Sequence, residues 1–171
     1  MKLEEPTSPI SERISFRPVL MPDDEPFLQK LYASTRDDLN QCVTNESQLR
    51  ELLVMQYNGQ KATYAAAFPD ASHDILLLDF EPVGRLIVDR QPGAIHGVDL
   101  ALLPRARNMG IGTSVMRGLF EECQKQNLPF VFHVLKTNPA QRLYERLGCS
   151  FRGDDATHFR MEWRAESSID L

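Results

Sequence analysis

The chain carries the sequence Arg107-Asn108-Met109-Gly110-Ile111-Gly112-Thr113-Ser114 between two apolar patterns. The run 98–103 before it predicts a strand, and the amphipathic run 111–124 after it predicts a helix. The two glycines allow a tight turn and a close approach of the backbone to a ligand. The free N–H groups and positive dipole end of the helix favour an anion. We therefore expect a phosphate or pyrophosphate site here, with Arg107 adding a cation at its mouth.

Two common phosphate-binding loops do not fit this segment. A Walker-type loop requires a Gly-Lys dipeptide, which the sequence lacks. The dinucleotide fingerprint requires a third glycine where Val115 stands, and an acidic residue on the following strand, whereas the run 129–136 contains none. The pattern that remains is Arg-x-x-Gly-x-Gly.

A second segment further along the chain reads Asn138-Pro139-Ala140-Gln141-Arg142-Leu143-Tyr144-Glu145-Arg146-Leu147-Gly148-Cys149-Ser150-Phe151. Asn138 is a good N-cap, and Pro139 suits the first helical position, where its missing N–H costs nothing. Gly148 is suited to end the helix. We expect a short helix over 139–147 with Tyr144 near its middle.

Together the two segments resemble the signatures of the GCN5-related N-acetyltransferase (GNAT) superfamily. The first matches its acyl-CoA loop. The second matches Asn-x-x-Ala-x-x-x-Tyr-x-x-x-Gly-Phe in shifted form, because Ala140 lies two residues after Asn138 and two residues separate Gly148 from Phe151. The resemblance implies an α/β fold with a mixed, mostly antiparallel sheet, a central splayed parallel strand pair and helices on both faces.

The resemblance also implies where acetyl-CoA would bind as the acyl donor. Main-chain groups of the central strand would pair with the pantetheine arm, and the N–H of Leu102 or Leu103 would polarise the thioester carbonyl. The glycine loop would hold the pyrophosphate, Ser114 would add a hydroxyl, and Asn138 would reach the pantetheine. The expected cofactor-binding residues are Ala101, Leu102, Leu103, Arg107, Asn108, Met109, Gly110, Ile111, Gly112, Thr113, Ser114, Asn138, Ala140 and Tyr144.

For catalysis, the resemblance places Tyr144 beside the CoA sulfur as the proton donor to the leaving thiolate. The candidates for the base that takes the amine proton are Asp99 on the central strand and Glu81 in the preceding hairpin. A structural carboxylate is the competing role for Asp99, and a simple turn residue is the competing role for Glu81. Cys123 lies on the apolar stripe of its helix and is a poor nucleophile, so direct transfer in a ternary complex is expected, without a metal.

Length and composition bound the remaining possibilities. With 171 residues, 42% of them hydrophobic, we expect a single domain over 13–165, a flexible arm at 1–12 and a tail at 166–171. A net charge of -5 disfavours a general nucleic-acid binder. No apolar run is long enough to span a membrane, the start has no secretory signal, and three cysteines suit a reduced, cytoplasmic location.

The pattern along the chain predicts the element order β-α-α-β-β-β-α-β-α-β-β. We expect strands at 14–19, 75–80, 83–88, 95–103, 129–135, 149–152 and 158–164. One helix starts at 22–24, and a longer one follows a capping box at 45–48, with an interruption at Gly59. The 75–80 and 83–88 strands form a hairpin around Glu81-Pro82.

The predicted function is N-acetyl transfer to a primary amine of a small molecule or peptide. The acceptor and the acyl-chain length stay open, and the resemblance makes a homodimer plausible. A second function class also stays open, namely a non-catalytic module that binds acyl-CoA or a partner. A dinucleotide-dependent oxidoreductase is a more distant third.

Overall fold

The structure, a computed structural model, describes residues 8–138 and 140–166. Its helices are α1 Ile10–Arg13, α2 Glu25–Ala33, α3 Asp37–Cys42, α4 Glu46–Ala67, α5 Ile111–Gln126 and α6 Gln141–Arg146. Its strands are β1 Ile14–Pro18, β2 Ser72–Leu78, β3 Glu81–Gln91, β4 Ala94–Leu102, β5 Phe130–Leu135, β6 Ser150–Asp154 and β7 His158–Trp163.

The seven strands form one sheet in the order β1-β2-β3-β4-β5-β7-β6. Strands β1 and β2, β5 and β7, and β6 and β7 pair antiparallel, whereas β4 and β5 pair parallel. The parallel ladder joins Ile95–Gly97 to Phe130–Phe132, although β4 continues to Leu102 and β5 to Leu135. The mixed α/β fold and the central parallel pair, paired over only its first part, are therefore confirmed.

The chain divides into two compact units. The first contains residues up to Ile87 together with Asp99–Ser114, and the second contains Val88–Val98 together with residues from Val115 onward. Strands β3 and β4 each contribute to both units. Among the described residues, no helix combines the length and the apolar character that crossing a bilayer requires.

The core of the first unit lies between α2, α4 and β2. Leu28, Tyr32, Tyr57 and Ile75 form a buried cluster, and the rings of Tyr32 and Tyr57 meet edge to face with centroids 5.9 Å apart. Helix α4 begins where the capping pattern predicts, because the Asn45 side chain accepts a hydrogen bond from the N–H of Gln48.

Two predictions about α4 and its neighbours are wrong. The helix runs through Gly59 without a break, because one glycine costs a helix only about 1 kcal/mol, less than burying Tyr57 stabilises it. In addition, the short helix α3 occupies 37–42, where no helix was predicted.

The β2–β3 hairpin turns two residues earlier than predicted. Asp79 and Phe80 both have positive φ, of 49° and 68°, whereas Glu81 and Pro82 already belong to β3. Two consecutive left-handed residues are typical of a type I′ turn, whose twist matches that of a two-stranded ladder. An ion pair between Arg13 and Asp79 holds the turn, and Pro82 is tolerated because it lies near the start of its strand.

Helix α2 begins at Glu25 with Asp24 as its N-cap residue, so it starts at the end of the predicted segment 22–24, although the Asp24 side chain makes no capping hydrogen bond. Its carboxylate accepts two hydrogen bonds of 2.7 Å from Arg17 and one of 2.8 Å from the N–H of Leu20. The Arg17 guanidinium is the main reason that the pKa of Asp24 falls to about 2. The ion pair ties β1 to the start of α2.

In the second unit, α5 packs its apolar face on aromatic side chains of β5 and β7. Phe120 lies edge to face with Phe130 at 5.7 Å and is stacked on Trp163 at 4.5 Å. Strand β7 pairs with β5 from Phe130 opposite Trp163 to Leu135 opposite His158. The β6–β7 ladder is irregular between Phe151 and Asp154.

Helix α6 is shorter than predicted at its start. It spans 141–146 with Ala140 at the N-cap position, and the predicted capping role of Asn138 survives as a hydrogen bond of 2.8 Å that its side-chain oxygen accepts from the N–H of Ala140; Pro139 lies outside the described residues. Its end is as predicted, because Gly148 has φ of 86°. The N–H groups of Gly148 and Cys149 donate to the carbonyls of Glu145 and Tyr144, which is a Schellman motif.

The two predicted terminal segments lie largely outside the described residues. Helix α1 begins at Ile10, within the predicted arm, and residues 1–7 and 167–171 are not described. The arm and the tail stay predictions.

Candidate active site

The glycine loop joins β4 to α5 through one short 3-10 turn at Pro104–Ala106. Asn108 and Gly110 both adopt left-handed backbone, with φ of 59° and 81°. Asparagine and glycine are the residues that accept this conformation at low cost, which explains their presence here. The two left-handed residues turn the chain into α5.

The first turn of α5 presents peptide N–H groups that have no backbone acceptor among the described residues. The first intrahelical bond runs from the N–H of Ser114 to the carbonyl of Gly110, at 3.0 Å. The N–H groups of Ile111, Gly112 and Thr113 precede it and have no acceptor within the helix. Nothing lies within 4 Å of the position that a Cβ would take at Gly112. The backbone therefore offers an open anion site at the positive end of a 16-residue helix.

The side chain of Arg107 makes two structural contacts, and its predicted role as a cation at the mouth of the loop stays a prediction. Its Nε donates to the carbonyl of Leu102 and its Nη2 donates to the carbonyl of Ser34, both at 3.0 Å. Its own N–H donates to Pro104 at 3.2 Å. Arg107 thus clamps the end of β4 to the C-cap of α2, and the free donors of the loop begin after it.

The two predicted oxyanion donors, the N–H groups of Leu102 and Leu103, differ in whether they are already hydrogen-bonded. The N–H of Leu103 donates to the carbonyl of Val83 at 2.8 Å, so it is already engaged. Because successive residues of a strand point their N–H groups to opposite edges, the N–H of Leu102 points away from β3. Leu102 is therefore the better candidate.

Gly84 explains how β3 comes so close to this part of β4. A Cβ at Gly84 would lie 2.4 Å from the carbonyl oxygen of Ala101 and 2.8 Å from the Leu102 side chain. Only glycine permits this approach, so Gly84 fixes the backbone position of the strand residues predicted to contact the cofactor.

Tyr144 lies on α6 in a partly buried environment. Its ring meets Phe132 edge to face, with centroids 4.8 Å apart. Burial raises the pKa of its phenol above the usual value, with the nearby Cys149 thiol adding to the effect, so the group stays protonated near neutral pH. Its hydroxyl has no hydrogen-bond partner among the described residues. This state of the Tyr144 hydroxyl, protonated and without a protein partner, suits its predicted role as the proton donor to the CoA thiolate.

Asn138 and Ala140 are joined locally. The Asn138 side-chain oxygen accepts from the N–H of Ala140 at 2.8 Å, and its own N–H donates to Leu135 at 2.9 Å. Within residues 8–138 and 140–166, the side-chain amide nitrogen of Asn138 has no acceptor, so its two donors could serve an amide-bearing ligand.

The two predicted bases differ in their surroundings. Asp99 accepts hydrogen bonds from Nε and Nη2 of Arg85, at 2.9 and 2.7 Å, both on the same oxygen. The Arg85 side chain is 9% exposed, and its Nη2 also donates to Gln60. Glu81 is exposed at the start of β3. The ion pair favours the structural role for Asp99, although its second oxygen is not bound to Arg85.

Sequence reasoning missed the group around Arg85. Burial raises the pKa of Tyr64 to about 12, with the charge of Asp99 adding to this effect and that of Arg85 opposing it. The pKa of His73 is lowered, first by burial and then by Arg85. The available signal was a single arginine within the otherwise apolar run Val83–Val88, since such a residue in a buried strand needs a partner.

The cysteines do not supply a nucleophile at a buried position. Burial raises the pKa of Cys123 to about 11 and that of Cys149 to about 12, so both remain thiols. Cys42 is exposed on α3. Among residues 8–138 and 140–166, no three histidine, cysteine or carboxylate side chains are grouped as metal ligands would be.

Comparison with solved structures shows that other proteins have a similar fold. The PaiA N-acetyltransferase of Thermoplasma acidophilum, solved in complex with coenzyme A, has 15% identity and a TM-score of 0.65, covering 89% of this chain and 99% of that one. PH1933 from Pyrococcus horikoshii has 18% identity and a TM-score of 0.66, covering 89% and 98%.

A third similar structure is Arabidopsis thaliana Naa50 in complex with the bisubstrate analogue CoA-Ac-MVNAL. It has 17% identity and a TM-score of 0.58, covering 90% of this chain and 99% of that one. No curated protein gives a significant match. The model of the acetyltransferase (GNAT) family matches residues 19–149, which include β4, the glycine loop and α6. The chain therefore belongs to the GNAT acetyltransferase family.

Proposed function

We propose that the protein transfers an acetyl group from acetyl-CoA to a primary amine of a small molecule or peptide. The observation that carries this proposal is the run of unpaired N–H groups at Ile111–Thr113, reached through the left-handed turn at Gly110. These groups suit the pyrophosphate of CoA, which all acyl-CoA donors share. Family membership and the neighbours solved with coenzyme A or a CoA–peptide analogue support the same donor.

In the proposed reaction, the amine nitrogen attacks the thioester carbonyl carbon and the C–S bond breaks. The N–H of Leu102 stabilises the developing oxyanion, and Ala101 contributes main-chain groups to the donor. The amine must be neutral to attack, so its proton passes to a base, for which Asp99 through its free oxygen and Glu81 are the candidates. The leaving CoA thiolate takes a proton from the Tyr144 hydroxyl.

The chemistry requires no acyl-enzyme. The buried thiols Cys123 and Cys149 have raised pKa values, which disfavours either of them as an acetyl carrier. Transfer is therefore direct, with donor and acceptor bound together.

The experiment is release of free CoA thiol from acetyl-CoA across a panel of amines and peptides, with wild type compared with Tyr144→Phe. The variant keeps the ring contact with Phe132, so we expect unchanged affinity for CoA and a fall in kcat of about a hundredfold. Tight binding without turnover across the panel would instead support a non-catalytic acyl-CoA-binding module. Turnover that is equal in both proteins would exclude Tyr144 as the acid.

A further inference from the structure

The second unit contains a groove between α5 and α6 that the proposed reaction does not use. Its volume is about 330 Å³, and its lining includes Arg117, Phe120, Glu121 and Gln124 of α5, Arg146 of α6 and Trp163 of β7. The α5 residues follow one another at helical spacing, so they form one face of the helix. None of the predicted cofactor residues lines this α5–α6 groove.

The wall of the α5–α6 groove is aromatic. Phe120 and Trp163 are stacked with their planes only 5° apart and their centroids at 4.5 Å. Gly148, which ends α6 with φ of 86°, lies beside the indole, and a Cβ there would be 3.6 Å from Trp163 Nε1. In the part of the chain that the structure describes, this indole N–H has no acceptor. A flat apolar surface with a free donor at its edge is suited to a planar ligand.

The charges of the groove are unbalanced. Neither Arg117 nor Arg146 has an ion pair or a side-chain hydrogen bond to any described residue. Glu121 is four residues after Arg117, which is the less favourable order for an ion pair on a helix, and no such pair forms. By contrast, the next residue, Glu122, is bound by Arg90 at 2.6 Å. Two guanidinium groups from different helices therefore line one groove with a single carboxylate opposing them.

We propose that the α5–α6 groove binds a small organic anion, a carboxylate or phosphate monoester carrying an apolar ring. Its oxygens accept hydrogen bonds from Arg117 and Arg146, and its ring lies against Trp163. Arginine is suited to both anions because its planar fork matches their oxygen geometry. The volume is at the lower end of ligand pockets, which fits a single-ring molecule.

Trp163 supplies a direct measurement, because it is the only tryptophan in the chain. Benzoate and phenyl phosphate are titrated through the millimolar range at constant ionic strength, with neutral benzyl alcohol as the comparison ligand. Binding is followed by the fluorescence of Trp163 and by the single indole N–H resonance in a ¹⁵N-correlated spectrum. We expect saturable changes with at least one anion and none with benzyl alcohol.

The variants Arg117→Gln and Arg146→Gln separate specific binding from surface effects. Each is expected to raise the Kd of the anion about tenfold, because a hydrogen bond to a charged partner is lost. The matched control is Arg142→Gln. Arg142 is exposed on α6, the helix that carries Arg146, but lies outside the groove, so this variant is expected to bind like wild type. All three changes are at the surface, and a thermal melt of each confirms that folding is retained.

Three results would overturn the proposal. The first is no saturable change of either signal with any anion. The second is binding that Arg117→Gln and Arg146→Gln leave unaltered, or that benzyl alcohol matches, since either shows only an apolar patch. The third is loss of the signals when saturating CoA is present, because the anion would then occupy the phosphate loop. Comparing benzoate with phenyl phosphate shows which anion is preferred.

Discussion

The anion site of α5 can be tested by adding one methyl group at two positions of the same helix. Gly112→Ala places the methyl in the first turn, beside the unpaired N–H groups. Gly118→Ala places it further along the helix and serves as the matched control. At both positions no described residue beyond the adjoining backbone of α5 lies within 4 Å of the added carbon, so we expect neither change to disturb the packing.

The two variants should have similar effects on folding and different effects on binding. Replacing glycine by alanine in a helix stabilises it by about 0.5–1 kcal/mol, which raises Tm by roughly 1–4 °C for a chain of this size. In a helix the Cα–Cβ bond tilts towards the N-terminus, so the methyl at 112 points towards an approaching anion. Loss of one hydrogen bond to a charged phosphate costs about 1.5–3 kcal/mol, which weakens CoA binding about ten- to hundredfold.

The assay is calorimetric titration of wild type and both variants with CoA, together with a thermal melt of each. We expect Gly118→Ala to bind like wild type and Gly112→Ala to bind more weakly while melting no lower. If Gly112→Ala binds CoA with wild-type affinity, the pyrophosphate does not lie on these N–H groups and the proposed site is wrong. If both variants bind equally weakly, the effect comes from the helix as a whole.

Three further predictions concern ionisable groups. Asp99→Ala should lower the free energy of unfolding by on the order of 3 kcal/mol, because the buried Arg85 loses its ion-pair partner and keeps only the neutral Gln60. Arg85→Met in the same chain should restore most of it, and urea denaturation measures both. The pKa of Asp24 is lowered to about 2, so its ion pair with Arg17 stabilises the folded protein at pH values above the ordinary carboxyl pKa. This contribution is on the order of 2 kcal/mol and should be lost as the pH falls from about 4 to 2. Asp24→Asn should remove that part of the pH dependence; an unchanged acid profile would contradict it. Because Cys123 and Cys149 are buried with raised pKa values, native protein should react with one equivalent of a thiol reagent near neutral pH, at Cys42, and with three when unfolded.

The parts of the fold that the sequence predicted are those with a local signal. The capping interaction of Asn45 with Gln48 and the Schellman motif at Gly148 each depend on residues within six positions of one another. The glycine turn before α5 is equally local. Such features are set by backbone geometry and by side chains that reach their own turn, so their residue types suffice to predict them.

The errors arise where distant contacts override local preference. Glu81-Pro82 has the composition of a turn, yet the chain turns at Asp79-Phe80, where Arg13 binds Asp79 across 66 positions of sequence. Phenylalanine is rarely found with positive φ, so nothing in the local pattern indicates this turn.

Side-chain roles in the candidate site were the hardest to predict, and Arg107 shows why. Its position beside a phosphate loop suggests a direct charge contact, but its two acceptors are carbonyls of β4 and of the residue after α2, the latter 73 positions away. Sequence spacing shows that a cation is near the loop without showing which way it points. The same holds for Asp99, whose partner lies on the neighbouring strand.

Arg107 donates hydrogen bonds to two carbonyls, so the backbone of the loop must supply the hydrogen bonds that hold an anion. The guanidinium keeps its positive charge while it donates to these carbonyls, so it adds to the field at the loop, whereas the hydrogen bonds to an anion come from the peptide N–H groups of the first turn of α5. Only a change that blocks the approach to the backbone or alters its path, as at Gly110 or Gly112, can abolish such a site. The two glycines of the loop therefore expose the peptide N–H groups that bind the anion. The arginine holds the end of β4 in place.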